Sequence, residues 1–456
     1  MITTSDKKIL LKNIDSSWLK EFSAQRKEPK WVLDLRLWAL EEFNKLPWPN
    51  KNDKQWAQTD FKALKWDTLQ FFPTQDIPLE TTKRLSDTFS SLTDAFQYNG
   101  HTPAEVNWDY SKGFRVDVPS SLKKLGLEWH PVEEALTSKE SFLKPAWTKA
   151  IENAKTNKFR LFNLAVGNGG LCLFIPKNIK LSAPLQQYLS GGGLSLAQFP
   201  LHFIFLAEGA EAQIWEELVT RDSNKGSVEN PAFVSSMTSV HLQKNAKASF
   251  YYLQHWGANT FHFQFQDIIQ EADSQLETIS ISVGGRLSRN ETTMYLNGPG
   301  AQNEILGVLF GDGKQNFENR ITQNHNAPHT TSDIQFRGAL QGQSKSFFSG
   351  MVSIIKEAQK SDAYQSSKSL ILSKEARADA IPNLEILADD VKCAHGAAVG
   401  PVDEDQKYYF QTRGVPPDLA EKIIIQGFVE PVIAALPSET VQDRLRSFIE
   451  EKIQKQ

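Results

Sequence analysis

Two short segments carry side chains with the means for metal or thiol chemistry. The first, Asn324-His325-Asn326-Ala327-Pro328-His329-Thr330-Thr331-Ser332-Asp333, holds two histidines four residues apart. On a helix that spacing sets both imidazoles on one face, ready to hold zinc. Pro328 lies between them and the flanks are strand-like, which argues against a helix. The competing reading is a polar turn or strand whose side chains satisfy backbone groups. The second segment is Val391-Lys392-Cys393-Ala394-His395-Gly396-Ala397-Ala398-Val399-Gly400. Residues two apart on a strand share a face, so Cys393 and His395 stand together there. A thiolate beside an imidazole binds iron, zinc or copper, or yields an activated thiol. Its structural counterpart is a buried cysteine beside a hydrogen-bonded histidine.

Other chemistry is missing from the sequence. There is no GxxxxGK[ST] loop for nucleotide hydrolysis, no GxSxG, no HExxH and no EF-hand loop. Gly167-Asn168-Gly169-Gly170 and Gly191-Gly192-Gly193 lack dinucleotide-binding spacing and read as turns. Only two cysteines occur, Cys172 and Cys393, with no CxxC pair. In a reducing compartment they are expected as free thiols, and the chain alone cannot supply the four thiolates of a typical iron–sulfur cluster. With 50 basic against 54 acidic residues, the net charge of −4 gives no excess for gripping nucleic acid or anionic lipid. The opening MITTSDKKILLKN lacks the apolar core of a secretory signal, and the longest apolar runs, Leu171–Pro176 and Leu201–Ala207, are strand-sized. A cytoplasmic protein with no membrane contact is expected.

The elements that must position these segments fall into three regions. Residues 1–155 read as mainly helical. Lys30 to Lys45 sets Trp31, Leu35, Trp38 and Phe43 at roughly helical intervals, and Leu46-Pro47-Trp48-Pro49 stops that helix. A second helix is expected near Thr81–Phe96, and Trp56, Trp66, Trp108, Trp129 and Trp147 read as core anchors. Across 156–400 the period changes to two. Phe159–Leu164 opens a strand-like series that continues through Phe203–Leu206, Ser249–Leu253, Phe261–Phe265 and Leu276–Val283. Turns at Glu208–Glu211, Lys244–Lys247, Glu271–Ser274 and Gly298–Ala301 punctuate it at spacings suited to stacked coils, with a large β-sandwich as the alternative. Residues 401–456 return to helix. One helix starts at Pro416-Pro417-Asp418 and carries Leu419, Ile423, Ile424 and Phe428; another follows Ser438, a plausible N-cap.

From Ile321 to Phe428 the residues in order resemble the SufB/SufD family of iron–sulfur cluster assembly scaffolds. His325 and Pro328 precede Ser332-Asp333. Ala358-Gln359-Lys360-Ser361-Asp362-Ala363 resembles A-x-K-[ST]-D-A, and Asp389–Ala397 resembles D-D-V-K-C-x-H-G-A. Gly427-Phe428 closes the run. Within the family the chain is closer to SufD: His395-Gly396-Ala397-Ala398-Val399 replaces the H-E-A-T-[TS] of SufB, and Trp56-Ala57-Gln58-Thr59-Asp60 resembles a SufD W-x-x-T-D. Glu28-Pro29-Lys30-Trp31, by contrast, resembles a SufB N-terminus.

The resemblance implies a mainly β fold with helical ends, a right-handed parallel β-helix between N- and C-terminal helical regions. It implies a non-enzymatic scaffold that pairs with a SufB-like subunit, or with itself in isolation, and docks a SufC-like ABC ATPase through residues 401–456. ATP-driven dimerisation of the ATPase then rearranges the interface. An iron–sulfur cluster or iron is held only transiently in the complex. His395 corresponds to the family's interface histidine, with Cys393 beside it as a lesser ligand and His325 and His329 more remote. The alternatives are a β-helix polysaccharide lyase and a structural adaptor without a metal role.

Overall fold

The computed structural model describes residues 9–60, 62–71, 104–109, 113–191, 195–220 and 231–454. Its centre is a parallel β-solenoid of about seven turns, with helices at both ends. Successive strands alternate between two sheets, one of 12 and one of 10 strands, so each strand pairs with the next-but-one in sequence. The last coils are built from β1 (Thr331–Leu340), β2 (Lys345–Ile354), β3 (Asp362–Ile371), β4 (Arg377–Ile386) and β5 (Lys392–Pro401). In the middle of the stack Leu287, Asn316 and Lys345 lie one above another, 29 residues apart. Like positions therefore stack on like, and each coil buries its apolar face on the next.

The turns singled out in the sequence form one corner of this stack. Gly209, Asn245, Asp273, Gly300, His329 and Lys360 all hold positive φ, between 57° and 75°. Each donates its N–H to the following coil: Asp273 to Pro299 O (2.9 Å), Gly300 to Pro328 O (3.3 Å), His329 to Gln359 O (2.9 Å). This left-handed ladder favours Gly, Asn and Asp. A Cβ at Gly300 would lie 2.5 Å from Asp273 Oδ1, so that rung has no room for a side chain.

The N-terminal region wraps one flank of the solenoid. Helix α1 (Lys30–Lys45) has the bounds its periodicity predicts, ending before Pro47. Phe159–Leu164 is not a strand. It lies in helix α2 (Lys158–Val166), capped by the Asn157 side chain, which accepts from the N–H groups of Phe159 and Arg160. All nine residues of α2 are buried, so no polar face marks the 3.6 period and a short apolar run reads equally as strand. The N-terminal region also adds strands: Ala104–Asp109 and Gly113–Asp117 extend the 10-stranded sheet beyond Leu185–Gly191. The helix expected at Thr81–Phe96 lies outside the described residues. After β5 come α3 (Glu404–Gln411), α4 (Pro417–Ile433) and α5 (Glu439–Gln454). Ser438 Oγ lies 3.5 Å from the Val441 N–H at the start of α5.

Buried ion pairs tie the wrap together. Arg36, 1% exposed, binds Glu28 at 2.7 Å and donates to the Ala165 and Gly167 carbonyls at the C-terminal end of α2. Arg160 pairs with Asp267 at 2.9 Å, and Arg289 joins Glu318 at 2.8 Å and also Glu291. Burial pushes the Glu28 and Glu291 carboxyls up, but Arg36 beside the first and Arg289 beside the second more than offset this, leaving both below the ordinary range. A folded value below the unfolded one stabilises above about pH 4.3, and that stability is lost as pH falls through the folded value. Acidification below about pH 4 should therefore loosen the wrap before the solenoid. Nine of the eleven tryptophans precede residue 150, so their fluorescence reports mainly this region. Emission is expected to shift to the red ahead of the far-ultraviolet β signal; simultaneous loss would mean these pairs do not set the acid limit.

Candidate functional site

The site lies where the stack stops. β5 pairs with β3 alone and β4 with β2 alone, so both final strands have one unpaired edge among the described residues. In register, Cys393 sits on Ala363, His395 on Gln365 and Ala397 on Ser367. Ala363, Gln365 and Ser367 are buried while their neighbours Asp362 and Tyr364 are exposed. The odd positions of β5 therefore face the solenoid interior, and His395 is exposed only because no further coil covers it. The alternation expected at Cys393 and His395 holds: both stand on one side of one strand, about 6.6 Å apart along it.

The two differ in surroundings. Cys393 is half-buried against Val352, Ala363 and Leu384. Burial raises its thiol above the ordinary range, and the Asp362 charge adds to this, whereas the Ala363 backbone lowers it by hydrogen bonding. At neutral pH it is a thiol, and metal binding there requires proton release. His395 has no side-chain hydrogen bond or ion pair among the described residues, leaving its imidazole free to meet an incoming group. Beneath it, Gln365 donates to Asn383 O at 2.9 Å while its buried Oε1 has no partner among the described residues.

His325 and His329 do not join this pair. The His325 ring is fully buried, with Nδ1 2.7 Å from Thr330 Oγ1 and Nε2 2.9 Å from Ser332 Oγ, so both nitrogens are engaged. Burial pushes its pKa down to about 4, leaving it neutral. His329 is an exposed rung of the left-handed ladder. Cys172 is buried far back along the chain, its thiol pushed up to about 12 by burial, and pairs with no other cysteine. No cluster of three or more His, Cys, Asp or Glu able to hold a metal occurs among the described residues. Any metal held by Cys393 and His395 therefore needs ligands from outside these residues.

The edges themselves carry information that residue types do not. Lys392 N–H bonds to Ser361 O, just before β3, so even-numbered N–H groups of β5 turn toward β3. Those of Cys393, His395, Ala397 and Val399 consequently face the open side. On β4, Arg377 N–H bonds to Ser344 O, which puts the even positions on the open side. Pro382 falls there, deleting a donor from the middle of that edge. β5 has no such guard before Pro401. Eight of the ten exposed large apolar residues among the described ones lie between Tyr364 and Leu419, including Leu387 (62%) and Tyr408 (67%). An unguarded edge beside exposed apolar side chains is a template for another chain. Sequence reading passed over the edge because Ala, Gly and Val in β5 look like ordinary buried-strand residues.

A family model described as "SUF system FeS cluster assembly, SufBD core domain" matches residues 188–428, more than half of the chain. The chain belongs to the SufBD family. Curated relatives described as iron–sulfur cluster assembly SufBD family proteins extend the match over nearly the whole length. Those of Staphylococcus haemolyticus and Staphylococcus epidermidis are 27% identical over 429 and 427 residues, and that of Staphylococcus aureus is 26% identical over 430. In each case 92% of this chain and 89% of the relative are covered. As a SufBD protein the chain has the parallel solenoid and helical ends that its sequence implies. No helix among the described residues is long and apolar enough to cross a membrane.

Proposed function

We propose that this SufBD protein is the SufD-like subunit of a cytoplasmic scaffold that assembles iron–sulfur clusters and has no catalytic activity of its own. It pairs through the β5 edge with a SufB-like subunit. The observation that carries this reading is His395, exposed on an unguarded edge strand at the open end of the solenoid. A partner strand laid along β5 would bring its own ligands over the interior-facing column that holds Cys393 and His395. The nascent cluster is cargo held at the junction, with His395 as the chief ligand from this side and Cys393 as the lesser. Sharing a cluster between two chains lets movement of either chain release it.

A SufC-like ABC ATPase would dock on the C-terminal helices. Tyr408 and Tyr409 on α3 and Leu419 on α4 are exposed there. Behind them α4 and α5 pack on the solenoid: Arg337 donates to Phe428 O at 2.8 Å, and Lys452 to Val283 O at 2.6 Å. A pull on α4 thus has a packed route into the coils below β5.

The test is His395→Ala in the purified three-protein complex, reconstituted with iron and sulfide. Cluster yield, read as bound iron and acid-labile sulfide, is expected to fall at least roughly ten-fold, since a direct ligand should cost no less than an outer supporting contact, while the complex stays intact. Unchanged yield would remove His395 from the site. Loss of the complex itself would make the residue structural. The isolated chain is expected to hold no cluster and, at high concentration, to form homodimers through β5.

A further inference from the structure

A second corner of the solenoid, away from the cluster-assembly reading, is built for a different ligand. There the turns Asp312-Gly313-Lys314-Gln315 and Gln341-Gly342-Gln343-Ser344 stack, Gln343 N–H donating to Gly313 O at 2.7 Å. Segment 51–60 of the N-terminal region crosses this corner. It is fastened by Arg289 donating to Gln55 O (2.9 Å) and Asn316 donating to Gln58 O (3.4 Å). Between segment and corner lies a cavity of about 420 Å³, within the size range of small-ligand sites.

Its lining is cationic. Among the described residues Lys51, Arg286, Lys314 and Lys345 line it together with one carboxylate, Asp60. None of the four cations has an ion-pair partner among the described residues. Two further carboxylates are bonded to lining residues: Glu375 accepts from Gln343 at 2.6 Å, and Glu318, already paired with Arg289, accepts from Thr59 Oγ1 at 3.0 Å. Lys345 is also stacked directly against Arg377 in the β2–β4 ladder, a like-charge register that destabilises unless a counter-charge is supplied. In a chain of net charge −4 this is a local concentration of cations rather than general basicity. Among the described residues no aromatic side chain lines the cavity, so that lining offers no face for a base or flavin ring to stack on, while amides of Gln and Asn supply further donors.

We propose that this cavity binds a compact polyanion bearing two or more phosphate groups. Ammonium and guanidinium donors around one partly open space match multiple phosphate oxygens. The site spans the N-terminal wrap and the solenoid, so an occupied cavity holds the two together.

Pyrophosphate and tripolyphosphate titrated calorimetrically into the full chain are expected to bind saturably, and to raise its melting temperature. In Lys314→Glu/Lys345→Glu, affinity should fall roughly ten-fold or more per reversed charge. Lys356→Glu, an exposed lysine outside the cavity, should leave binding unchanged. Should the double reversal fail to fold, Lys314→Met/Lys345→Met gives the same reading without added charge. The proposal is overturned if the wild-type chain shows no saturable binding, if the double variant binds equally well, or if Lys356→Glu weakens binding as much.

Discussion

Ala397→Pro is expected to weaken docking of the proposed partner at least roughly ten-fold while leaving the isolated chain folded. The Ala397 N–H points to the open side of β5, so proline removes no hydrogen bond to β3. Edge strands tolerate proline for this reason, and Pro382 already occupies the equivalent side of β4. A strand added along β5 would lose a donor and leave its own carbonyl unpaired at a buried junction. An unmade buried bond costs about 1–3 kcal/mol, roughly ten- to a hundred-fold in affinity, before any ring clash. Ala398→Pro is the counterpart: its N–H faces β3, so it should damage the last coil of the isolated chain. Affinity for the SufB-like partner, measured by titration calorimetry, separates the two. If Ala397→Pro binds as well as the parent, the partner does not lie along β5.

Arg289→Ala should produce the largest loss of stability. Its side chain, about 1% exposed, joins Glu318 at 2.8 Å and Glu291, and donates to Thr59 Oγ1 and Gln55 O. Its guanidinium lies 3.8 Å from the centre of the Trp56 ring. Removing it strands the fully buried Glu318 without its main counter-charge and frees the segment around Trp56 from the solenoid. Breaking a buried pair by deleting one partner costs about 3–5 kcal/mol. Chemical denaturation with tryptophan fluorescence should show that loss in the N-terminal transition. Glu291 would also lose its nearest cation, so the acid-sensitivity it contributes should shrink. A variant within about 1 kcal/mol of the parent, typical for a surface site, would show that the network is not what holds the wrap in place.

These two sites differ in how far they could be read in advance. Cys393 and His395 were legible because a strand has period two: their spacing alone put them on one side, and the D-D-V-K-C-x-H-G-A resemblance said which family uses it. The turns were legible because small and polar residues recur at similar spacings around Gly209, Asn245, Asp273 and Gly300, whereas their shared positive φ emerged only in the structure. Helix α1 was legible from the helical spacing of Trp31, Leu35, Trp38 and Phe43 and from Pro47. Helix α2 was not, since burial on every side erased its period and left a run that reads as strand. His325 and His329 shared a spacing that suits zinc on a helix. The turn between them instead sends one ring into hydroxyl partners and leaves the other on a solvent-exposed corner.

Local chemistry in the chain therefore marked the period-two strands, the turns between them and the shared face of Cys393 and His395, and left stacked coils and a β-sandwich both open. Which edge remains open was decided only when the coils stacked, because an N–H points inward or outward according to register, and register is a property of two strands. The same holds for the buried arginines and the cationic corner. Arg289 and Glu318 are 29 residues apart, and Lys51 and Lys345 nearly 300, so their charges interact only after solenoid and wrap come together in space.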